Sequence, residues 1–182
     1  YVVDIDIKGF FDNVDHSKLL KQIWSLGIHD KNLLCVISKL LKAPIQGEGV
    51  PSKGTPQGGI LSPLLSNIVL NELDWWISNQ WETFPSKFPY RWDGDRCTAL
   101  KKTKLKEMYL VRYADDFKIF CRNKKDAKRV KIAVEKWLME RLHLETSPEK
   151  SKITNLCRHY SEFLGFKIKL EERPKQNVII SH

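Results

Sequence analysis

Two short apolar runs, Met108-Tyr109-Leu110-Val111 and Phe117-Lys118-Ile119-Phe120, flank a polar turn. Their β-branched and aromatic content predicts two strands joined as a hairpin. Residues 1–8 predict another strand. Alternation there sets Val3, Ile5 and Ile7 on one face and Asp4 and Asp6 on the other. Elsewhere the apolar period lengthens to that of a helix. Leu19, Leu20, Ile23 and Trp24 predict a helix from Asp15 to Leu26, capped by Asp15 and ended by Gly27. A second helix is expected after Asp30, running to about Leu41 and stopping before Pro44. Ser62 reads as an N-cap and Pro63 as the first turn of a third, whose apolar face is Leu65, Ile68, Val69, Leu73, Trp76 and Ile77.

A long amphipathic helix is expected over Lys124 to Leu142. Ala127, Val130, Val134, Trp137 and Leu138 share one side, and Lys125, Lys128, Arg129, Lys131 and Lys136 the other. Short strands are expected at 151–156, 163–170 and 176–180. Glycines and prolines make 44–59 a loop or short hairpin. Residues 82–107 lose periodicity through Pro85, Pro89, Asp93-Gly94 and a basic run, and read as an inserted surface loop. The order strand, helices, hairpin, helix, strands predicts an α+β fold with an antiparallel sheet, in one domain spanning 1–182.

A chain of 182 residues can bury a core without staples. The four cysteines are scattered with no CxxC pair, which argues against zinc and for a reducing compartment. A net charge of +9 suits a polyanionic partner. No apolar run approaches a membrane span, so no membrane partner is expected. The sequence opens directly on a strand without Met, and reads as a fragment or the ordered part of a longer chain.

The candidate chemistry centres on Tyr113-Ala114-Asp115-Asp116, which places two adjacent carboxylates at the tip of the hairpin. Holding both ionised calls for a compensating cation, and Mg2+ binds through one or two carboxylates plus substrate phosphates. Asp6, near the end of the first strand, offers a third carboxylate. Three such groups suit two ions about 3.5–4 Å apart that stabilise the attacking and leaving oxygens of an in-line displacement. Taken alone, the Asp pair also fits a solvated turn. In Gly54-Thr55-Pro56-Gln57-Gly58-Gly59-Ile60-Leu61-Ser62-Pro63, Gly58 and Gly59 would admit a ligand close to the backbone, and Gln57 can donate and accept. A flexible loop ahead of a capped helix reads equally well there. The basic run holding Lys101, Lys102, Lys104 and Lys106 could bind RNA phosphates, or be a solvated face.

Together the segments are more specific. Asp6-Ile7-Lys8-Gly9-Phe10-Phe11-Asp12-Asn13-Val14-Asp15-His16 is followed by the Gly54–Pro63 stretch with Leu64-Leu65-Ser66-Asn67. Then come Val111-Arg112-Tyr113-Ala114-Asp115-Asp116-Phe117, Leu144-Glu145-Thr146-Ser147-Pro148-Glu149-Lys150-Ser151-Lys152-Ile153, and Phe163-Leu164-Gly165-Phe166. In content, order and spacing this resembles the reverse transcriptase domain of bacterial group II intron-encoded proteins, the maturases. The resemblance implies a right-hand polymerase palm with part of the fingers. Finger motifs would precede Tyr1, and an absent thumb would follow His182. It implies an RNA-directed DNA polymerase in which Asp6, Asp115 and Asp116 hold two Mg2+ ions. Phe11 would exclude a ribonucleotide 2′-OH, Gln57 and Gly58 would meet the nucleotide, and Lys150 would act as general acid to pyrophosphate. Phe163, Leu164 and Gly165, with Phe166, would grip the primer, whereas Asp4 would be structural. The implied partners are intron RNA, an RNA template with its DNA primer, and dNTPs, in the bacterial cytoplasm; a homodimer is compatible. Open alternatives are a non-catalytic RNA-binding splicing cofactor, or a retron, diversity-generating or CRISPR-associated reverse transcriptase.

Overall fold

The computed structural model describes residues 1–171 other than Gln46, Glu48, Gln57 and Lys87. The strand expected at 176–180 lies outside the described residues. Four strands form one antiparallel sheet: β1 (Val2–Ile5), β2 (Met108–Tyr113), β3 (Asp116–Cys121) and β4 (Lys152–Thr154), in the order β2-β3-β1-β4. Strand β1 pairs with β3 through Val3↔Ile119 and Asp4↔Lys118, and with β4 through Asp4↔Lys152. This register puts Asp4 between two lysines on one face. On the other face Val3, Ile5, Phe117 and Ile119 are buried.

Helices cover that apolar face. Helix α1 (Phe10–Asn13) follows β1, and α2 (His16–Ser25) and α3 (Lys31–Leu41) come next. The Asp15 side chain accepts from the Lys18 N–H, and the Asp30 side chain from the N–H groups of Asn32 and Leu33, so each aspartate caps its helix. Helix α4 (Ser62–Ser78) buries Leu65, Val69, Leu70, Leu73 and Ile77 and packs on α2 and β2. Helix α6 (Lys124–Trp137) continues into a π-helical turn, Leu138–Leu142, and buries Ala127, Val130, Val134, Leu138 and Leu142 against the sheet.

Three expectations change. Ser62 is the first residue of α4, not its cap; its hydroxyl donates to the Pro56 carbonyl and closes the loop onto the helix. The stretch 82–107 is not only surface loop. It contains α5 (Asp93–Lys101), anchored by buried Leu100, and Asp93 and Asp95 suit the positive end of that helix. The strand expected at 163–170 is instead part of a separate two-stranded hairpin, β5 (Ser161–Phe163) and β6 (Phe166–Ile168), turned on Leu164-Gly165.

Candidate active site

Asp6 directly follows β1, and Asp115 and Asp116 occupy the facing end of the neighbouring hairpin. The turn has two residues, Ala114 and Asp115, and Asp116 opens β3 opposite Tyr113. Asp6, Asp115 and Asp116 line one cavity of about 230 Å³, together with Asp4, Lys118, Lys150, Lys152 and Glu162. The sheet topology thus brings residues over a hundred positions apart to one place.

The backbone around Asp6 is held from both sides. Its N–H donates to the Ser151 hydroxyl at 3.2 Å, and its carbonyl accepts from the Ser147 N–H at 2.8 Å. These bonds draw the 147–151 segment over the site, so that Lys150 Nζ stands 3.7 Å from Asp6 Oδ2. The hairpin turn is held by Arg112. Its guanidinium donates to both carboxylate oxygens of Asp74, to Asn67 Oδ1 at 2.9 Å and to the Ala114 carbonyl at 2.7 Å. One side chain therefore ties α4 to the turn that carries Asp115.

Lys118 was not singled out by sequence reasoning, although its place two residues after Asp116 on the same strand face was a usable signal. It is buried, ion-paired with Asp4, and 5.5 Å from the centre of the Phe163 ring. Ser161 Oγ donates to the other Asp4 oxygen at 3.2 Å. Asp4 thus joins the sheet to the β5–β6 hairpin through Lys118 and Ser161.

Burial raises the Asp116 carboxyl above its ordinary range; Lys118 opposes this, and Asp4, Asp115 and Asp6 add to it. Among the described residues no three acidic, histidine or cysteine side chains are drawn into a closed metal-ligand group. The carboxylates share the cavity without being gathered on a common point, and lysines supply the nearby positive charge. The donor set nonetheless fits Mg2+: hard oxygen ligands on an ordered backbone, with Asp116 disfavoured as an anion chiefly by burial and further by the neighbouring carboxylates.

A second cavity, of about 380 Å³, adjoins the first and shares Asp6, Asp115 and Lys150 with it; Phe11 lines it too. Phe11 is half-buried on α1 against Phe10. Its carbonyl accepts from the Thr55 N–H at 2.7 Å. Gly54, at φ +93, lets this contact form, since a Cβ there would lie 3.0 Å from the Asp12 carbonyl oxygen. Gly58 is exposed in the following turn, and Gln57 lies outside the described residues. The Phe163-Leu164-Gly165 turn approaches the first cavity through the contact of Phe163 with Lys118.

The lysine run stands apart. It precedes β2 at Met108, whereas the carboxylate turn follows Tyr113, roughly 20 Å along the strand. Lys101 pairs with Glu107, and Lys106 with Asp126. Among the tryptophans, Trp81 is core, with its Nε1 donating to Tyr109 Oη. Trp76 stacks on Trp137, whereas Trp75 and Trp92 are exposed.

An antiparallel sheet backed by helices on one face, with acidic residues on the other at a hairpin turn and a facing strand end, is the palm of a nucleic-acid polymerase. Residues 1–168 match the reverse transcriptase (RNA-dependent DNA polymerase) family, and the chain belongs to that family. The group II intron-encoded protein LtrA of Lactococcus lactis subsp. cremoris is 32% identical over 214 residues, covering 93% of this chain and 35% of LtrA. Protein YkfC of Escherichia coli K12 is 30% identical over 180 residues, covering 92% of this chain and 46% of YkfC. The chain thus spans under half the length of either relative. Among solved structures, apo telomerase from Candida tropicalis superposes with a TM-score of 0.61 at 15% identity, covering 92% of this chain and 31% of that one. Telomerase from Candida albicans in complex with a fragment of telomeric RNA gives 0.61 at 14% identity, covering 92% and 30%. At such identities the likeness is one of fold. Among the described residues no helix is long and apolar enough to cross a membrane.

Proposed function

We propose that this domain carries out RNA-directed DNA synthesis within a group II intron-encoded protein, joining a dNTP to a primer 3′-OH. The observation that carries the proposal is the shared cavity of Asp6, Asp115 and Asp116 beside that of Phe11. Two Mg2+ ions bound by these three carboxylates would supply electrostatic stabilisation of the attacking and leaving oxygens. The protein's own groups do the rest. Lys150 reaches the same cavity with an ammonium that can protonate departing pyrophosphate. Phe11 sets a ring where an extra sugar hydroxyl would clash. Gly58, with Gln57, offers backbone and amide groups to the nucleotide. Phe163, Leu164, Gly165 and Phe166 bear on the primer end, and Asp4 and Lys118 hold that hairpin against the catalytic strands. The partners in this reading are an RNA template, a DNA primer, dNTPs and intron RNA.

The test is RNA-templated primer extension by the full-length protein, with dNTPs or with ribonucleotides. Wild type is expected to extend with dNTPs and discriminate against ribonucleotides, and Phe11→Ala to incorporate ribonucleotides more readily. Folded wild-type protein that binds RNA but extends no primer would favour the splicing-cofactor alternative instead. Unchanged discrimination in Phe11→Ala would remove the gate assignment alone.

A further inference from the structure

Edge strand β4 borders a third polar cavity, of about 470 Å³, on the side away from the carboxylate turn. Lys124, Lys152, Arg158, His159 and Tyr160 line it, and among the described residues no carboxylate does. Among the described residues none of Lys124, Lys152 and Arg158 takes part in an ion pair, unlike Lys101, Lys106, Lys118, Lys131, Lys136 and Lys150. The cationic side chains are exposed, yet their backbone is ordered. Asn155 organises the turn after β4: its side chain accepts from the Cys157 N–H at 3.1 Å, and its carbonyl accepts from the N–H groups of Arg158 and His159 at 3.0 and 2.9 Å. Tyr160 follows with its ring half exposed and Lys167 Nζ 4.8 Å from its centre. Lys152 lines both this cavity and the carboxylate cavity, so the two are contiguous along β4.

Unpaired cations spaced along a groove, with an accessible aromatic ring among them, are the chemistry of single-stranded nucleic-acid binding: phosphates lie on the cations and a base on the ring. We infer that the groove along β4 is a binding track for a single-stranded nucleic-acid segment running to or from the carboxylate cavity, with Lys124, Lys152 and Arg158 on phosphates and Tyr160 against a base. The inference rests on the polymerase reading for its direction but not for its affinity.

The experiment is fluorescence anisotropy of labelled single-stranded RNA and DNA oligonucleotides with the full-length protein, without dNTPs or divalent metal, across a salt series. The Lys124→Gln/Lys152→Gln/Arg158→Gln variant should flatten the log–log salt slope by about 0.7 per lost contact. Tyr160→Ala should weaken binding about tenfold with little change in slope. Lys136→Gln, which removes an exposed lysine already paired with Glu140, should leave the slope as it is. Arg158→Lys should retain the slope, and the buried Cys121 thiol should stay protected from alkylation, which together separate loss of contacts from unfolding. A change confined to the RNA or to the DNA oligonucleotide identifies the strand that uses the track, and a change in both assigns it to the shared backbone. A wild-type slope in the triple variant for both oligonucleotides, or an equal loss in Lys136→Gln, overturns the inference. Asp115→Ala should leave this readout untouched, so failure of the catalytic reading and failure of the track are separate results.

Discussion

Leu164 has left-handed backbone (φ 51) and is followed by Gly165 at φ 80, so both central residues of the β5–β6 turn have positive φ. Such a turn matches the twist of the flanking strands, but it favours Asn-Gly and costs a leucine about 1 kcal/mol. The side chain gains little in return, being half exposed. The primer contact proposed for this turn would account for a strained, exposed, apolar residue there. Leu164→Asn is therefore expected to stabilise the protein by about 0.5–1 kcal/mol in denaturant unfolding while lowering primer-extension efficiency. A variant that gains stability and extends primers as well as wild type would return Leu164 to an ordinary turn position. The same residue explains why sequence reading saw one strand over 163–170, since Leu-Gly does not announce a two-residue turn as Asn-Gly would. Lys118 was hidden for another reason: a lysine inside an apolar strand has no visible partner until β1 brings Asp4 beside it.

Among elements, the tie between α4 and the β2–β3 hairpin matters most for the site. Arg112 is nearly buried and satisfies Asp74, Asn67 and the Ala114 carbonyl at once. Arg112→Ala should cost about 2–3 kcal/mol, because Asp74 loses charge-assisted bonds in a half-buried setting. Arg112→Lys should recover only part of that, since an ammonium cannot reproduce the fork. Urea melts of both variants check this, and a loss below about 0.5 kcal/mol for Arg112→Ala would show that α4 packing alone fixes the turn. Helices α2, α3, α4 and α6 were legible because each has an apolar stripe at helical spacing and most carry a capping side chain. Helix α5 was not. It has one buried residue, Leu100, and its Asp-Gly start and lysine-rich end look like loop when the tertiary anchor is unknown.

At the scale of the molecule, the palm was legible through the order of its motifs, whereas their convergence is a property of topology. The β2-β3-β1-β4 order sets the end of β1 beside the β2–β3 turn, and the 147–151 segment then closes on Asp6 through Ser147 and Ser151. What the sequence could not convey is the balance of charge. Lysines paired with Asp4 and Asp6 offset carboxylates that stand close without forming a closed ligand set. The central claim is that these carboxylates serve chemistry while basic surfaces serve affinity. The most direct measurement is RNA-templated primer extension by full-length Asp115→Ala, read beside its affinity for the same RNA. Extension should fall on the order of 10³-fold or more, the scale of losing a key transition-state stabiliser, with RNA affinity within about twofold of wild type. Undiminished extension, or a parallel collapse of RNA binding in a folded variant, would contradict the account.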